Sequence, residues 1–252
     1  MDRRGIVRVL TAVIFVKPRR VVAKAASSTL LPAPATTTIP VAPVDMGCGL
    51  TVHPRANWVL STWPTPHGLM IEETVNVVVV HHSETPNVYE AADVAARLRS
   101  IRGYHVSASK GWPDIAYNFL IDRFGGVWEG RAGSLAGAVK GSASDGNQGH
   151  SQLVCLIGDH RVEPPTEAAL HALARLVDVL GDRYGLSPEP EVTTTFLSEG
   201  SSRWAAGELV TTRSIEGHRA MSVTSCPGDA AFALLPSIRL EVKRLRSSAR
   251  RP

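Results

Sequence analysis

The stretch "SIEGHRAMSVTSCPGD", Ser214 to Asp229, holds a His and a Cys eight residues apart, with Pro227 directly after the Cys. Gly217, Ser222 and Pro227 argue against a continuous helix, so a loop that turns back must bring His218 and Cys226 together if they act together. Imidazole and thiolate are both good zinc ligands, which makes the pair a candidate for half a zinc site. The plainer reading is a surface His and a buried Cys behaving as a small hydrophobe. A second source of ligands is "VVVVHHSETP", where a β-branched run ends in His81 and His82. Strand neighbours point to opposite faces, so only one of these two can share a site with His218 and Cys226. A His, His, Cys trio is the composition of a catalytic zinc centre whose fourth position stays open.

The elements that must position these residues follow from patterning. "VNVVVVHHS", Val75 to Ser83, reads as a strand buried on both faces. Apolar residues at helical spacing (Ala92, Val94, Ala95, Leu98, Ile101) predict an amphipathic helix within Tyr89 to Ser107. "AYNFLID" and "VWEGR" read as a hairpin with Gly125 and Gly126 near its tip. "SQLVCLIGD", Ser151 to Asp159, is another core strand. A second amphipathic helix is expected over Thr166 to Tyr184, capped by Thr166 and ended by Gly185. Val192 to Leu197 and Glu208 to Arg213 read as two arms of a strand pair, and Asp229 to Arg246 as a closing helix. The fold class is therefore α/β: a single domain with a central mixed β-sheet flanked by helices.

The chain has 252 residues, a net charge of +4 and three Cys. Much of the basic charge lies at the two ends and the middle is near neutral, so there is no nucleic-acid footprint. An odd Cys count without a CxxC pair excludes a disulfide framework and thioredoxin-like chemistry. Cys155 reads as a core residue and Cys48 has no nameable partner. Residues 1–26 read as a signal peptide, with Arg3, Arg4 and Arg8 around an apolar run too short to span a membrane, which implies a secreted or wall-associated protein. Residues 27–49, rich in Pro, Ala and Thr, read as a linker. The folded domain is expected over 50–246, followed by a basic tail, 247–252.

Five stretches, "VVVVHHSETPN", "RSIRGYHV", "KGWPDIAYNFLIDRFGGVWEGR", "LVCLIGDH" and "EGHRAMSVTSCPGD", resemble the peptidoglycan recognition protein family. This is the zinc amidase family that includes the phage amidase-type lysozymes, and the likeness is greatest to its actinobacterial secreted members. The resemblance runs from about Val52 to Arg239, with the motifs in order. It implies Zn2+ held by His81, His218 and Cys226, with Tyr117 and Thr224 assisting at the developing oxyanion. The reaction implied is hydrolysis of the amide between N-acetylmuramic acid and L-alanine in peptidoglycan. A monomer acting on peptidoglycan or muropeptides is expected, with no further partner.

The sequence departs from the family at one loop. Members often carry "GAHAGGFN", whereas this chain has "GSASDGNQ", Gly141 to Gln148, placing Ala143 at the motif's His and Gln148 at its Asn. The resemblance implies that these positions line the substrate groove, and Trp112 and Trp128 are candidates to line it too. Three classes follow: a zinc amidase, a peptidoglycan-binding module on the same fold that does not cut, and a structural wall protein anchored by its basic ends. Many animal members lack the Cys and with it the activity, so Cys226 favours the enzyme.

Overall fold

The computed structural model describes residues 40–249. In chain order the elements are β1 (Val44–Asp45), β2 (Thr51–Val52), β3 (Val77–His82), α1 (Val94–His105), β4 (Phe119–Ile121), β5 (Val127–Glu129), β6 (Ser151–Leu156), α2 (Glu167–Tyr184), β7 (Thr193–Leu197), β8 (Leu209–Arg213), β9 (Ile215–Gly217), α3 (Asp229–Phe232) and α4 (Leu235–Ala249). The main sheet has the order β5-β4-β6-β3-β9. β3 runs parallel to β6 and β9, β6 runs parallel to β4, and β5 is the antiparallel edge. The expected mixed sheet flanked by helices is the observed one.

β3 is buried at all six positions, as its unbroken apolar run demands. Its two faces serve different layers. Val78 and Val80 join Phe119, Ile121, Val154 and Leu156 in a core closed by α2 and α4. Val77 and Val79 join Leu120, Leu153 and Cys155 in a second core closed by α1 through Val94, Leu98 and Ile101. This alternation decides where the two histidines go. His81 keeps step with Val77 and Val79 and emerges on the α1 side, and His82 emerges on the other.

Helix α2 starts and stops where its end residues require. The Thr166 hydroxyl accepts the Ala169 N–H at 3.2 Å and donates to Arg123 O at 2.6 Å, and Gly185 closes the helix at φ 69°. Four expectations need correction. The closing helix is two helices with a break over Ala233 and Leu234, because Pro236 has no N–H to donate to the carbonyl of residue 232. α4 then runs into the expected basic tail, with Ser247 and Ser248 donating back to Lys243 O and Arg244 O. The folded body begins before Leu50: Asn57 bonds both the N–H and the carbonyl of Val41, and Val44–Asp45 pairs with Thr51–Val52. Composition hid this, because those residues extend a Pro-rich stretch. The first helix is shorter than Tyr89 to Ser107, with a 3-10 turn over Ala91–Asp93 before α1. The expected leader, 1–26, lies outside the described residues, as does most of the linker.

Candidate metal centre

His81 and His82 end β3, at the carboxyl edge of the parallel strands, where open α/β sheets place their ligands. The next strand over, β9, stops at Gly217 and delivers His218 directly into a 3-10 turn. Met221 and Ser222 donate their N–H groups to His218 O at 2.8 and 3.1 Å, so the turn folds back. Arg219 N–H then bonds Cys226 O at 3.0 Å, which closes the loop and returns Cys226 to the strand end. Among the described residues, His81, His218 and Cys226 present donor atoms that all lie within 4.8 Å of one another.

The pair distances suit a zinc ion. His81 Nδ1 lies 3.6 Å from Cys226 Sγ. Bond lengths of about 2.0 Å to nitrogen and about 2.3 Å to sulfur, at a tetrahedral angle, put two such ligands about 3.5 Å apart. The imidazoles of His81 and His218 are 4.4 Å apart, centre to centre. Burial holds His81 well below the ordinary imidazole range and, with His82 also opposing a charge nearby, brings His218 down to about 4. Both rings are therefore neutral at pH 7, as metal ligation requires. Burial pushes the Cys226 thiol up to about 12, a trend opposed by the His82 backbone N–H 3.5 Å from Sγ. A dication beside that sulfur would reverse the trend and strip its proton.

The trio sits in a cleft of about 490 Å³. α1 gives one wall through Ile101, Tyr104 and His105, and the Lys110–Tyr117 segment gives another. That segment is pinned by Asp114, which is fully buried and bonds Arg102 at 3.0 Å, Arg55 at 2.9 Å and the Ala132 N–H at 3.0 Å. Trp112 lines the cleft, its ring 5.0 Å from that of His105. Tyr117 lies with its ring 5.2 Å from that of His81, and burial holds its hydroxyl well above the ordinary phenol range. Thr224 also faces the cleft, and its hydroxyl oxygen accepts the Cys226 N–H at 3.2 Å.

The structure gathers most of the expected residues but not all. Ala143 lines the cleft, whereas Trp128 and Gln148 do not. Trp128 is held at the sheet edge, stacked on His53 at 4.2 Å with its indole N–H on Asp122 at 2.7 Å. Gln148 turns its side-chain oxygen inward to accept the Ser144 N–H. His82 keeps to the opposite strand face, where its Nδ1 accepts the His160 N–H at 3.1 Å. Two residues escaped the sequence reading. Asp145 lines the cleft with a φ of 50°, and Ser144 lies beneath His81 with Oγ 3.3 Å from Nε2. Glu84, which from sequence reads only as a loop acid near His81, also lines the cleft, with a φ of 54°. The one signal pointing to Ser144 and Asp145 was the departure of "GSASDGNQ" from the family pattern.

Residues 72–229 match the family model described as N-acetylmuramoyl-L-alanine amidase. The chain belongs to this family. A Sus scrofa N-acetylmuramoyl-L-alanine amidase is 29% identical over 206 residues, covering 79% of this chain. The chain spans only 29% of that relative's length. Peptidoglycan-recognition protein SC2 of Drosophila melanogaster is 30% identical over 154 residues, covering 61% of this chain and 68% of the relative. Among solved structures, wild-type Drosophila PGRP-LB superposes with a TM-score of 0.56 at 25% identity, over 73% of this chain and 91% of the other. Drosophila PGRP-SD superposes with a TM-score of 0.55 at 22% identity, over 73% of this chain and 92% of that one. In this amidase-family chain the cleft opens at the carboxyl ends of β3 and β9, with the metal-ligand candidates at its floor.

Proposed function

We propose that the chain is a zinc-dependent amidase that hydrolyses the bond between N-acetylmuramic acid and L-alanine in peptidoglycan. The observation that carries this reading is the convergence of His81, His218 and Cys226 within 4.8 Å in an open cleft. Among relatives, a mutant of Drosophila PGRP-LB has been solved in complex with tracheal cytotoxin, and PGRP-LE with the same monomeric diaminopimelic acid-type peptidoglycan. A zinc ion on these three ligands would supply Lewis acidity and a water acidified to a pKa of about 7. The chain's own residues do the rest. His81 and His218 stay neutral and bind through ring nitrogens. Tyr117 keeps its proton at neutral pH and can donate it, as a hydrogen bond, to the carbonyl oxygen as charge develops there. Thr224 fixes the Cys226 backbone and leaves its own O–H free to donate into the cleft. Ile101, Trp112 and Ala143 give the cleft apolar surface, and Lys110 and Glu84 give it charge. The substrate lies outside the plasma membrane, so this reading carries export of a monomeric enzyme with it. No helix among the described residues is long and apolar enough to cross a membrane.

One observation favours a second reading. Ala143 faces the cleft where the family pattern carries a His, removing a polar contact to the substrate. A module that binds peptidoglycan without cutting it would tolerate that loss. Digestion of purified peptidoglycan by the full chain, followed by mass spectrometry, separates the two. Stem peptides beginning with L-alanine should appear, and should vanish with a zinc chelator and in Cys226→Ala. Binding without release of peptides would leave the recognition module.

A further inference from the structure

The segment Gly141–Gln148 touches the metal-ligand candidates from two directions. Ser144 is fully buried, and its Oγ lies 3.3 Å from His81 Nε2. The other ring nitrogen, Nδ1, is the one that faces Cys226 Sγ. A neutral imidazole carries one proton, so the nitrogen that holds it cannot also hold a metal. With Nδ1 turned to the centre, the proton belongs on Nε2, and Ser144 Oγ is its acceptor. The Ser144 backbone is itself fixed, its N–H bonded to the Gln148 side-chain oxygen at 3.2 Å and its carbonyl accepting the Asn147 N–H at 3.0 Å.

The same segment grips the opposite ligand loop. Asp145 Oδ2 accepts the Ser222 hydroxyl at 2.9 Å. Asn147, also fully buried, donates its side-chain N–H to Met221 O at 2.9 Å. Met221 and Ser222 are the two residues whose N–H groups fold the chain back onto His218 O. The three grips come from one short segment, Ser144 to Asn147. Asp145 reaches Ser222 from a backbone with φ 50°, a conformation that non-glycine residues rarely hold without surrounding support.

We propose that Ser144–Asn147 is the positioning brace of the metal centre: Ser144 fixes the His81 ring with its proton on Nε2 and Nδ1 free to ligate, and Asp145 and Asn147 hold the His218–Cys226 loop in register with it. The assignment rests on His81, His218 and Cys226 being metal ligands and does not require that the chain cut peptidoglycan. A ligating His normally donates its second ring N–H to a partner, and losing that partner typically weakens metal binding by about 10- to 100-fold. Removing the hydroxyl leaves two options. The proton moves to Nδ1 and competes with the metal, or it stays on Nε2 without an acceptor. Both weaken zinc.

The test is zinc affinity of the full chain, read by competition with a chromogenic chelator, with folding of the metal-free protein followed by circular dichroism. Ser144→Ala should bind zinc about 10- to 100-fold more weakly with its fold unchanged, and Ser144→Thr, which keeps the hydroxyl, should recover most of the loss. Histidine side-chain NMR adds a signature that a merely structural serine would not move. The Nε2 proton of His81 should be visible in zinc-loaded wild type and should exchange much faster in Ser144→Ala. Asp145→Ala, at an exposed position whose φ of 50° Ala holds less readily than Asp, tests the other grip with circular dichroism again reporting the fold. It should weaken zinc binding by about 10-fold, and Asp145→Ala with Ser222→Ala should be no weaker than Asp145→Ala alone. Zinc affinity in Ser144→Ala within about twofold of wild type, with the Nε2 proton unchanged, would overturn the brace, since the loss expected is at least about 10-fold. Wild type without zinc affinity overturns both the brace and the metal reading. A chain that binds zinc, loses it in Ser144→Ala and never cleaves peptidoglycan supports the brace while overturning the hydrolase.

Discussion

Tyr117 shows how position turns an ordinary side chain into a candidate catalytic group. Its ring neighbours both His81 and His105, at 5.2 and 5.4 Å, and the side chain is 9% exposed. Burial comes first among the causes that hold its hydroxyl above the usual phenol range, ahead of Cys155, Cys226 and Glu84. A phenol so placed stays protonated and can only donate to developing negative charge. Tyr117→Phe removes that donor and, inside the protein, only the hydroxyl's contact with the buried Cys155 thiol. The expected result is a fall of about 10²- to 10³-fold in kcat with KM little changed and zinc content intact. Loss of zinc in parallel would make Tyr117 a support of the ligands instead.

At the scale of elements, the two large helices are joined by a buried ion pair. Asp178 of α2 and Arg246 of α4 are 3% and 8% exposed, with Nε 2.6 Å from Oδ1 and the guanidinium also donating to Asp178 O. Removing Asp178 leaves the buried guanidinium with only the exposed Asp182 carboxylate, 3.6 Å from Nη1, as counter-charge. Asp178→Ala should therefore cost about 3–5 kcal/mol in urea unfolding, and replacing both partners by Leu and Met should cost much less. A loss no larger than that of an exposed pair, such as Arg213 with Glu191, would mean that water reaches the buried one. Elements of this kind divide what the sequence discloses from what it conceals. β3 and α2 were readable because a β-branched run and a Thr cap act locally. The split of α3 from α4 was also local, in Pro236, but was overridden by the apolar spacing on either side. Trp128 could not be placed from sequence, because His53 and Asp122 hold it at the sheet edge and neither contact leaves a pattern. Strand alternation alone left His81 and His82 as one of two, since it gives opposite faces without naming them, and only the family resemblance singled out His81. The brace was concealed for a related reason. Ser144 acquires its role from a ring that is 63 residues away in the chain.

The molecule as a whole keeps neutral histidines in its interior, which ties its stability to pH. His105 is 5% exposed, and its Nδ1 accepts the Ala116 N–H at 3.1 Å, which anchors the end of α1 to the segment carrying Tyr117. Burial, with Lys110 and Arg131 adding to it, brings His105 down to about 4. The unfolded chain takes up that proton near pH 6.5, and the folded chain resists until about 4. Because the folded value is the lower one, the full stability is present above pH 6.5. It drains away as the pH falls, and His105 has no further effect below about 4. A shift of this size corresponds to about 3 kcal/mol lost across that window. His105→Asn keeps an acceptor in the place of Nδ1 and cannot titrate. Urea unfolding of the metal-free protein, repeated from about pH 7.5 down to about pH 4, gives stability as a function of pH for both chains. The fall in stability over that range should be smaller in His105→Asn by about 3 kcal/mol, whatever the variant's stability at neutral pH. Equal falls in the two chains would show that His105 takes up its proton at the same pH in the folded as in the unfolded chain, and that the acid sensitivity lies in other groups.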